Sequence, residues 1–310
     1  MNLPIYFDSR KSFKLFGLSK KFQFLKNLYI KKKFPKTLML SGVKGCGKST
    51  LLNHLMFYIY DNGNYNEETN QLSSQSVFHK QFIDNIYPNI IYLSGKDFNN
   101  IKIEDIRKLK TKILQTSILD KPRFIILDDV ELFNRNSLNA LLKIIEEPTK
   151  NNFFLLINNK AKPLLETIKS RCLDIKVILN EENRQYIINS LIQKFSITSK
   201  INPKTSKLTP GQFIKFNHFF EENKIFLEDN FLKNMATLLN LYKKDKDIVF
   251  IDMIFFLTDN YFNKLIIEDS FSNEKILEYK QFVFKNVNKF FLYNLNQNAL
   301  LNSINNKINE

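Results

Sequence analysis

Eight residues near the start of the chain, Gly42-Val43-Lys44-Gly45-Cys46-Gly47-Lys48-Ser49, fit the phosphate-loop spacing G-x-x-x-x-G-K-[ST]. Glycines at such spacing let successive backbone N–H groups turn toward a phosphate. A helix starting immediately afterwards would add positive potential from its N-terminus. In this arrangement Gly42 through Thr50 cradle a nucleotide, Lys48 reaches its terminal phosphates, and the Ser49 hydroxyl ligates Mg²⁺. Cys46 reads as a small filler residue, not a reactive thiol. A second group of chemical interest closes an apolar run, Phe124-Ile125-Ile126-Leu127-Asp128-Asp129. Asp128, at the carboxyl edge of a strand, can hold the Mg²⁺ of a phosphate-loop site. Asp129 follows as a candidate for polarising a water, and the polar pair Asn158-Asn159 closes a later strand.

These groups need a scaffold that brings strand ends together. Thr37-Leu38-Met39-Leu40-Ser41 is a buried-strand pattern, and Lys48 to Tyr60 carries apolar residues at helical spacing. Further strands are expected at Asn89–Ser94, Phe124–Leu127, Phe153–Ile157 and Leu173–Ile178. Helices are expected at Ile101–Leu114, Ser137–Glu146 and Glu181–Phe195. Residues 61–87, rich in Asn, Ser and Gln, read as a loop with weak structure. Strands separated by helices, each strand nearly continuous in apolar residues, predict an α/β fold with a parallel five-stranded sheet covered on both faces. Such sheets bind ligands at the carboxyl ends of their strands, where both motifs fall. Residues 196–211 read as a polar linker, and the chain beyond them as amphipathic helices. The apolar faces there, such as Phe250, Ile254, Phe255 and Leu257, look larger than one small bundle needs.

Composition narrows the classes. With 310 residues, 44% apolar and including 30 Phe and 12 Tyr, the chain has ample material for packed cores. No window approaches the roughly 18 apolar residues of a membrane span, and residues 1–14 lack the apolar stretch of a secretion signal. Two cysteines, Cys46 and Cys172, make neither a disulfide framework nor a four-thiolate zinc site. A cytoplasmic location is therefore expected. The net charge of +15 is compatible with sequence-independent phosphate affinity. Only six of the 46 basic residues are arginine, however, and a Lys-, Asn- and Ile-rich chain also fits an AT-biased genome. Both explanations stand.

A phosphate loop suits small-molecule kinases, switch GTPases and AAA+ ATPases alike. A GTPase needs N-K-x-D after a strand, and Asn159-Lys160-Ala161-Lys162 lacks the aspartate. A kinase needs a cluster of substrate-binding arginines, and the six arginines are scattered. The order of motifs resolves the remainder. Leu127-Asp128-Asp129-Val130-Glu131, Asn134-Arg135, Asn139-Ala140-Leu141-Leu142-Lys143-Ile144-Ile145-Glu146-Glu147-Pro148, Phe154–Asn159 and Ile168-Lys169-Ser170-Arg171-Cys172 closely resemble the clamp-loader AAA+ subunits of bacterial DNA polymerase III. Leu15-Phe16-Gly17 and Phe34-Pro35-Lys36-Thr37 extend the resemblance upstream, so that it covers about residues 15–178.

The resemblance implies an AAA+ P-loop domain over 1–178, a small helical lid over 179–224 and an all-helical collar over 225–310. It also implies a task, loading a sliding clamp onto primed DNA together with gamma/tau and delta subunits, with ATP or ADP and Mg²⁺ as ligands and no membrane partner. Within Ser170-Arg171-Cys172, Arg171 corresponds to the family's trans-acting arginine finger, and the resemblance makes Asn158 or Asn159 the candidate nucleotide sensor. Three departures bring the chain closer to the delta-prime type than to the hydrolysing gamma/tau type, which is the alternative. Asp129 stands where the family's ATPases carry glutamate. Thr209-Pro210-Gly211-Gln212 stands where they tend to carry Ser-Pro-Gly-Arg, and Gln212 has no charge for a γ-phosphate. The chain also ends at the collar. Weak or absent hydrolysis is expected. Residues 61–87 contain no cysteine in the region where many relatives hold structural zinc, so no zinc is expected.

Overall fold

Four apolar runs and one mixed edge strand pair side by side; runs this short and this apolar must be covered on both faces, whereas the edge strand is mostly exposed. In the computed structural model, which describes residues 4–95, 121–147, 151–267 and 272–308 with Ile106, Leu109, Thr111 and Ile113, they are β1 (Thr37–Ser41), β4 (Ile90–Ser94), β5 (Arg123–Asp128), β6 (Asn152–Asn158) and β7 (Leu173–Lys176). All are parallel, in the order β4-β5-β6-β1-β7. The expected α/β sheet is thus present. β2 (Tyr65–Asn66) and β3 (Gln71–Leu72) form a separate antiparallel pair.

Alternation along each strand feeds two cores. Leu38, Leu40, Phe124, Ile126, Leu155 and Ile157 point to one face, beneath α1 (Ser19–Ile30) and α2 (Lys48–Tyr60). Met39, Ile125, Leu127, Phe154 and Leu156 point to the other, beneath α4 (Arg135–Glu146) and α5 (Glu166–Lys169). The expected helix at Ile101–Leu114 lies largely outside the described residues, although Ile106, Leu109 and Ile113 are buried in this second core. Residues 61–87 are more ordered than their composition suggests. They hold the β2–β3 pair and α3 (Val77–Ile83), capped by the Ser76 hydroxyl accepting from His79 N–H.

The first core contains a buried histidine. His54, on α2, places Nδ1 3.0 Å from the Tyr65 hydroxyl and Nε2 3.1 Å from the Ser12 carbonyl. Burial pushes its pKa down to about 3, and the nearby Lys194 and His79 act in the same direction. In the unfolded chain the imidazole takes a proton below its ordinary pKa of about 6.5, whereas the folded protein resists until about 3. This contribution to stability is therefore complete above pH 6.5 and is lost as pH falls through that window. It should cost about 2 kcal/mol on going from pH 7.5 to pH 5. Urea unfolding across this range is expected to show a shallower loss for His54→Gln than for the native chain, from a lower starting stability at pH 7.5. Parallel profiles would mean that His54 does not govern the acid response.

The chain divides into two compact units, Met1–Ser196 with Leu208–Ile214, and Ile197–Lys207 with Lys215–Glu310. The first comprises the sheet, its helices and α6 (Glu181–Phe195), capped by Asn180 accepting from Asn183 N–H. α7 (Pro210–Glu222) runs through the unit boundary. In the second unit, α8 (Phe231–Asp245), α9 (Val249–Ile267), α10 (Asn273–Tyr293) and α11 (Gln297–Ile308) pack α8 on α9, α9 on α10, α10 on α11 and α11 back on α8. Phe250, Ile254 and Leu257 are buried in this unit, and the Phe255 ring meets Phe284 at 5.2 Å. The apolar residues that looked surplus in the sequence are therefore occupied by the bundle's own packing. No described helix is long and apolar enough to cross a membrane.

Candidate phosphate-loop site

The phosphate loop follows β1 directly, and α2 begins at Lys48. Gly45 and Gly47 have φ of +85° and +93°, the left-handed region that disfavours a side chain. The loop's carbonyls are satisfied from inside the chain. Lys48 Nζ donates to Gly42 O at 2.8 Å and Val43 O at 2.7 Å. The Thr209 hydroxyl donates to Lys44 O at 2.8 Å, and Gly211 N–H, in the first turn of α7, donates to Gly45 O at 2.9 Å. A peptide's N–H points opposite its C=O, so the Gly45 and Cys46 N–H groups are directed away from the Thr209–Gly211 segment that their peptides' carbonyls meet. Lys48 is 3% exposed, and burial lowers its pKa, opposed by Cys46, Asp128 and Glu131. Cys46 is buried, with Sγ 3.4 Å from Val177 O, which agrees with a filler role. Val43 is exposed.

The register places Ser41 beside Asn158 and Ser94 beside Asp128, so the candidate groups gather at one end of the sheet. Ser49 Oγ donates to Asp128 Oδ2 at 3.2 Å, and the Tyr92 hydroxyl donates to the same oxygen at 2.8 Å. Asp128 Oδ1 accepts from Asp129 N–H at 2.9 Å. A hydroxyl and a carboxylate this close are a donor set that can share one Mg²⁺ ion, and the residues present fit a Mg–nucleotide.

Asp129 is buried with φ +50°, uncommon for a residue with a side chain, at the head of a short turn over Val130–Leu132. Its Oδ1 accepts from Asn159 Nδ2 at 2.7 Å. The two asparagines therefore separate: Asn159 meets the acid, whereas Asn158 Oδ1 accepts from Lys160 N–H at 2.8 Å and shapes the turn. Glu131, quoted in the sequence without a role, is 4% exposed. Its Oε1 accepts from Asn159 N–H at 3.0 Å and Ala161 N–H at 3.2 Å, holding the segment that carries Asn159. Burial raises its pKa; these N–H bonds oppose the shift and the neighbouring Asp129 adds to it.

Gln212 turns back on its own segment. Its Oε1 accepts from Thr209 N–H at 3.2 Å and lies 2.9 Å from the Thr209 hydroxyl. Arg171 sits apart from the loop, at the end of α5. Its Nη1 donates to Thr167 O at 3.0 Å, and Nη2 pairs with Glu146 Oε1 at 2.5 Å. Ser170 Oγ also donates to Thr167 O, at 3.2 Å, and Cys172 Sγ to Ile168 O at 3.1 Å. The Ser-Arg-Cys triplet thus closes the last carbonyls of a four-residue helix with side chains. Burial pushes the Cys172 thiol up to about 12, with Asp174 adding to the shift, so it is unreactive. Sequence reasoning gave no role to Tyr92, Glu131 or Glu146, because each acts through a partner distant in the chain. The glycine at 211, following a helix-starting proline, was a legible signal of close backbone approach.

A phosphate loop at the end of β1, acids at the end of β5 and asparagines at the end of β6 define a P-loop protein of the AAA+ class. A sequence family described as DNA polymerase III, delta subunit, matches residues 17–180, a little over half of the chain. The chain belongs to this family, the clamp-loader AAA+ proteins of DNA polymerase III, and within it is delta-prime-like. It is similar to DNA polymerase III subunit delta' of Buchnera aphidicola (subsp. Acyrthosiphon pisum), 29% identical over 66% of this chain and 63% of that protein. To subunit gamma of the same organism it is 29% identical over 51% of this chain and 43% of the relative. The match therefore spans less than two thirds of either relative's length. A solved structure of a gamma subunit-related protein from Thermotoga maritima matches with a TM-score of 0.45 and 18% identity, over 90% of this chain and 96% of that one.

Proposed function

We propose that the chain is a delta-prime-type subunit of the DNA polymerase III clamp loader. In this reading it helps place a sliding clamp on primed DNA and supplies Arg171 to a neighbouring subunit's ATPase site. The observation that carries it is the position of Arg171, on a surface turn with its side chain 37% exposed. At its own loop, by contrast, Gln212 bonds to Thr209 and offers no charge outward. The reading includes a lid over 179–224, a collar over 225–310 and a cytoplasmic location, with gamma/tau and delta subunits as partners. Gly42 to Thr50 would hold ATP or ADP through the loop N–H groups and Lys48, with Ser49 and Asp128 at Mg²⁺. A bound Mg–nucleotide would supply a phosphoanhydride bond for hydrolysis. Asp129, engaged by Asn159, is a shorter carboxylate than glutamate, and displacing a catalytic group by about 1 Å is enough to reduce turnover heavily.

A tagged copy purified from its own cells is expected to retain gamma/tau- and delta-type subunits in fixed ratio. Their absence at low salt would remove the proposal. The gamma/tau-type reading is favoured by one feature, the complete set of Lys48, Ser49 and Asp128. It predicts steady ATP hydrolysis by the isolated chain, whereas the delta-prime reading predicts very little.

A further inference from the structure

Arg171 is a long side chain on a surface turn, and a guanidinium held at one point samples many rotamers. Here it is held at two points on two elements. Nη1 donates to Thr167 O at the C-terminal end of α5, where a cation is favoured by the helix's partial negative charge. Nη2 pairs with Glu146 Oε1 at 2.5 Å, and Glu146 is the last residue of α4. Two acceptors on separate elements fix the plane of a rigid five-donor fork. The Glu146 side chain is 42% exposed, so the pair lies where another molecule can reach it. α4 itself is fastened at both sides: Asn134 Oδ1 accepts from Ser137 N–H at 2.8 Å, and Leu138, Leu141, Ile144 and Ile145 are buried against the sheet. Glu146 is thus a carboxylate on a rigid support, not on a mobile loop.

From this geometry we infer that Glu146 is the positioning residue of Arg171, setting which edge of the guanidinium faces outward to a neighbouring subunit's polyphosphate. This rests on the reading of Arg171 as a trans-acting finger. Preorganisation of this kind acts on the reaction at the neighbour's site, because the arginine need not be ordered at the moment charge develops. It acts hardly at all on the stability of the free chain, because a half-exposed ion pair contributes little there.

The test uses the full chain in the reconstituted assembly with gamma/tau- and delta-type subunits, clamp and primed DNA, measuring hydrolysis over a range of ATP concentrations. Glu146→Gln is expected to lower the rate at the one site that Arg171 serves about two- to fivefold, read in single-turnover kinetics with limiting nucleotide, and total kcat by no more than that site's share, with KM nearly unchanged. Glu146→Asp, which keeps the carboxylate, is expected to retain more of the rate. The melting temperature of the isolated chain should stay the same for both variants. In an Arg171→Ala background, Glu146→Gln should have no further effect. The inference is overturned if Glu146→Gln matches or exceeds the native rate while Arg171→Ala is impaired. It is also overturned if the fold-loss from Glu146→Gln persists without Arg171. An Arg171→Ala variant indistinguishable from native would instead remove the finger reading itself, and this inference with it.

Discussion

Arg171→Ala is expected to slow hydrolysis at one site of the reconstituted clamp-loader assembly by about 10³-fold or more, the effect of a trans-acting arginine. Total clamp- and DNA-stimulated turnover should fall by the share of that site, since other subunits would supply arginines of their own. The isolated chain should change little. Its side chain is partly exposed, and its pairing with Glu146 and Thr167 O closes only the end of a four-residue helix. Folding, assembly and this chain's own nucleotide affinity should therefore remain near native. Arg171→Lys should not restore the rate, because an ammonium is a point charge without the planar fork. The measurement is steady-state hydrolysis of the assembly beside single-turnover kinetics with limiting nucleotide. An alanine variant with full activity, or a lysine variant with full rescue, would show that the residue only caps its helix.

The largest effect on stability is expected at Phe124. This residue is fully buried on β5, stacked on Phe153 at 5.3 Å and 24° and meeting Phe34 and Tyr60 edge-on at 6.0 and 6.1 Å. Removing its ring gives up both the burial and the ring pairs, with β5 and β6 too tightly laddered to close the gap. Phe124→Ala should cost about 3–5 kcal/mol. For a unit of this size that corresponds to a melting temperature lower by roughly 6–20 °C. Phe124→Leu should cost less, because it refills part of the volume. Urea midpoints of the three proteins would decide it, and an alanine variant within 1 kcal/mol of native would show that the aromatic cluster relaxes around the gap. Asp128 stands four residues further along the same strand, so any shift of β5 should also appear at the candidate Mg²⁺ position.

The sheet was readable because four of its strands are short apolar runs near helices of clear periodicity, and the fifth, Leu173–Lys176, alternates Leu and Ile with Asp and Lys. Thr37–Ser41 and Lys48–Tyr60 fall where the pattern puts them. α4 starts two residues earlier than its apolar spacing suggests, because the Asn134 side chain, not Ser137, caps it. The segment 61–87 was misread for a different reason. Two-residue strands and a seven-residue helix are too short to show a period, and their order comes from tertiary contacts such as the Tyr65 hydroxyl on His54. At the site, Gly42 to Ser49 and Asp128 were legible because their chemistry is encoded in local spacing. The Tyr92 hydroxyl, the Glu131 carboxylate and the Glu146–Arg171 pair were not, since each depends on residues 25 to 36 positions apart meeting in space.

The seat that Gly45 provides for the start of α7 bears on how this loop would drift in evolution. A Cβ on Gly211 would lie 2.8 Å from Gly45 Cα, and a Cβ on Gly45 would run into Gly211 Cα at 3.3 Å and the Thr209 hydroxyl. Neither glycine can be replaced while the other contact stays, whatever the loop binds. Lys48 is similarly engaged, donating to Gly42 O and Val43 O from a buried position. A descendant that had abandoned nucleotide would thus still be held to much of the phosphate-loop pattern by packing alone. Its first substitutions would come at the exposed Val43, and Gly45 and Gly211 would be lost last, and together.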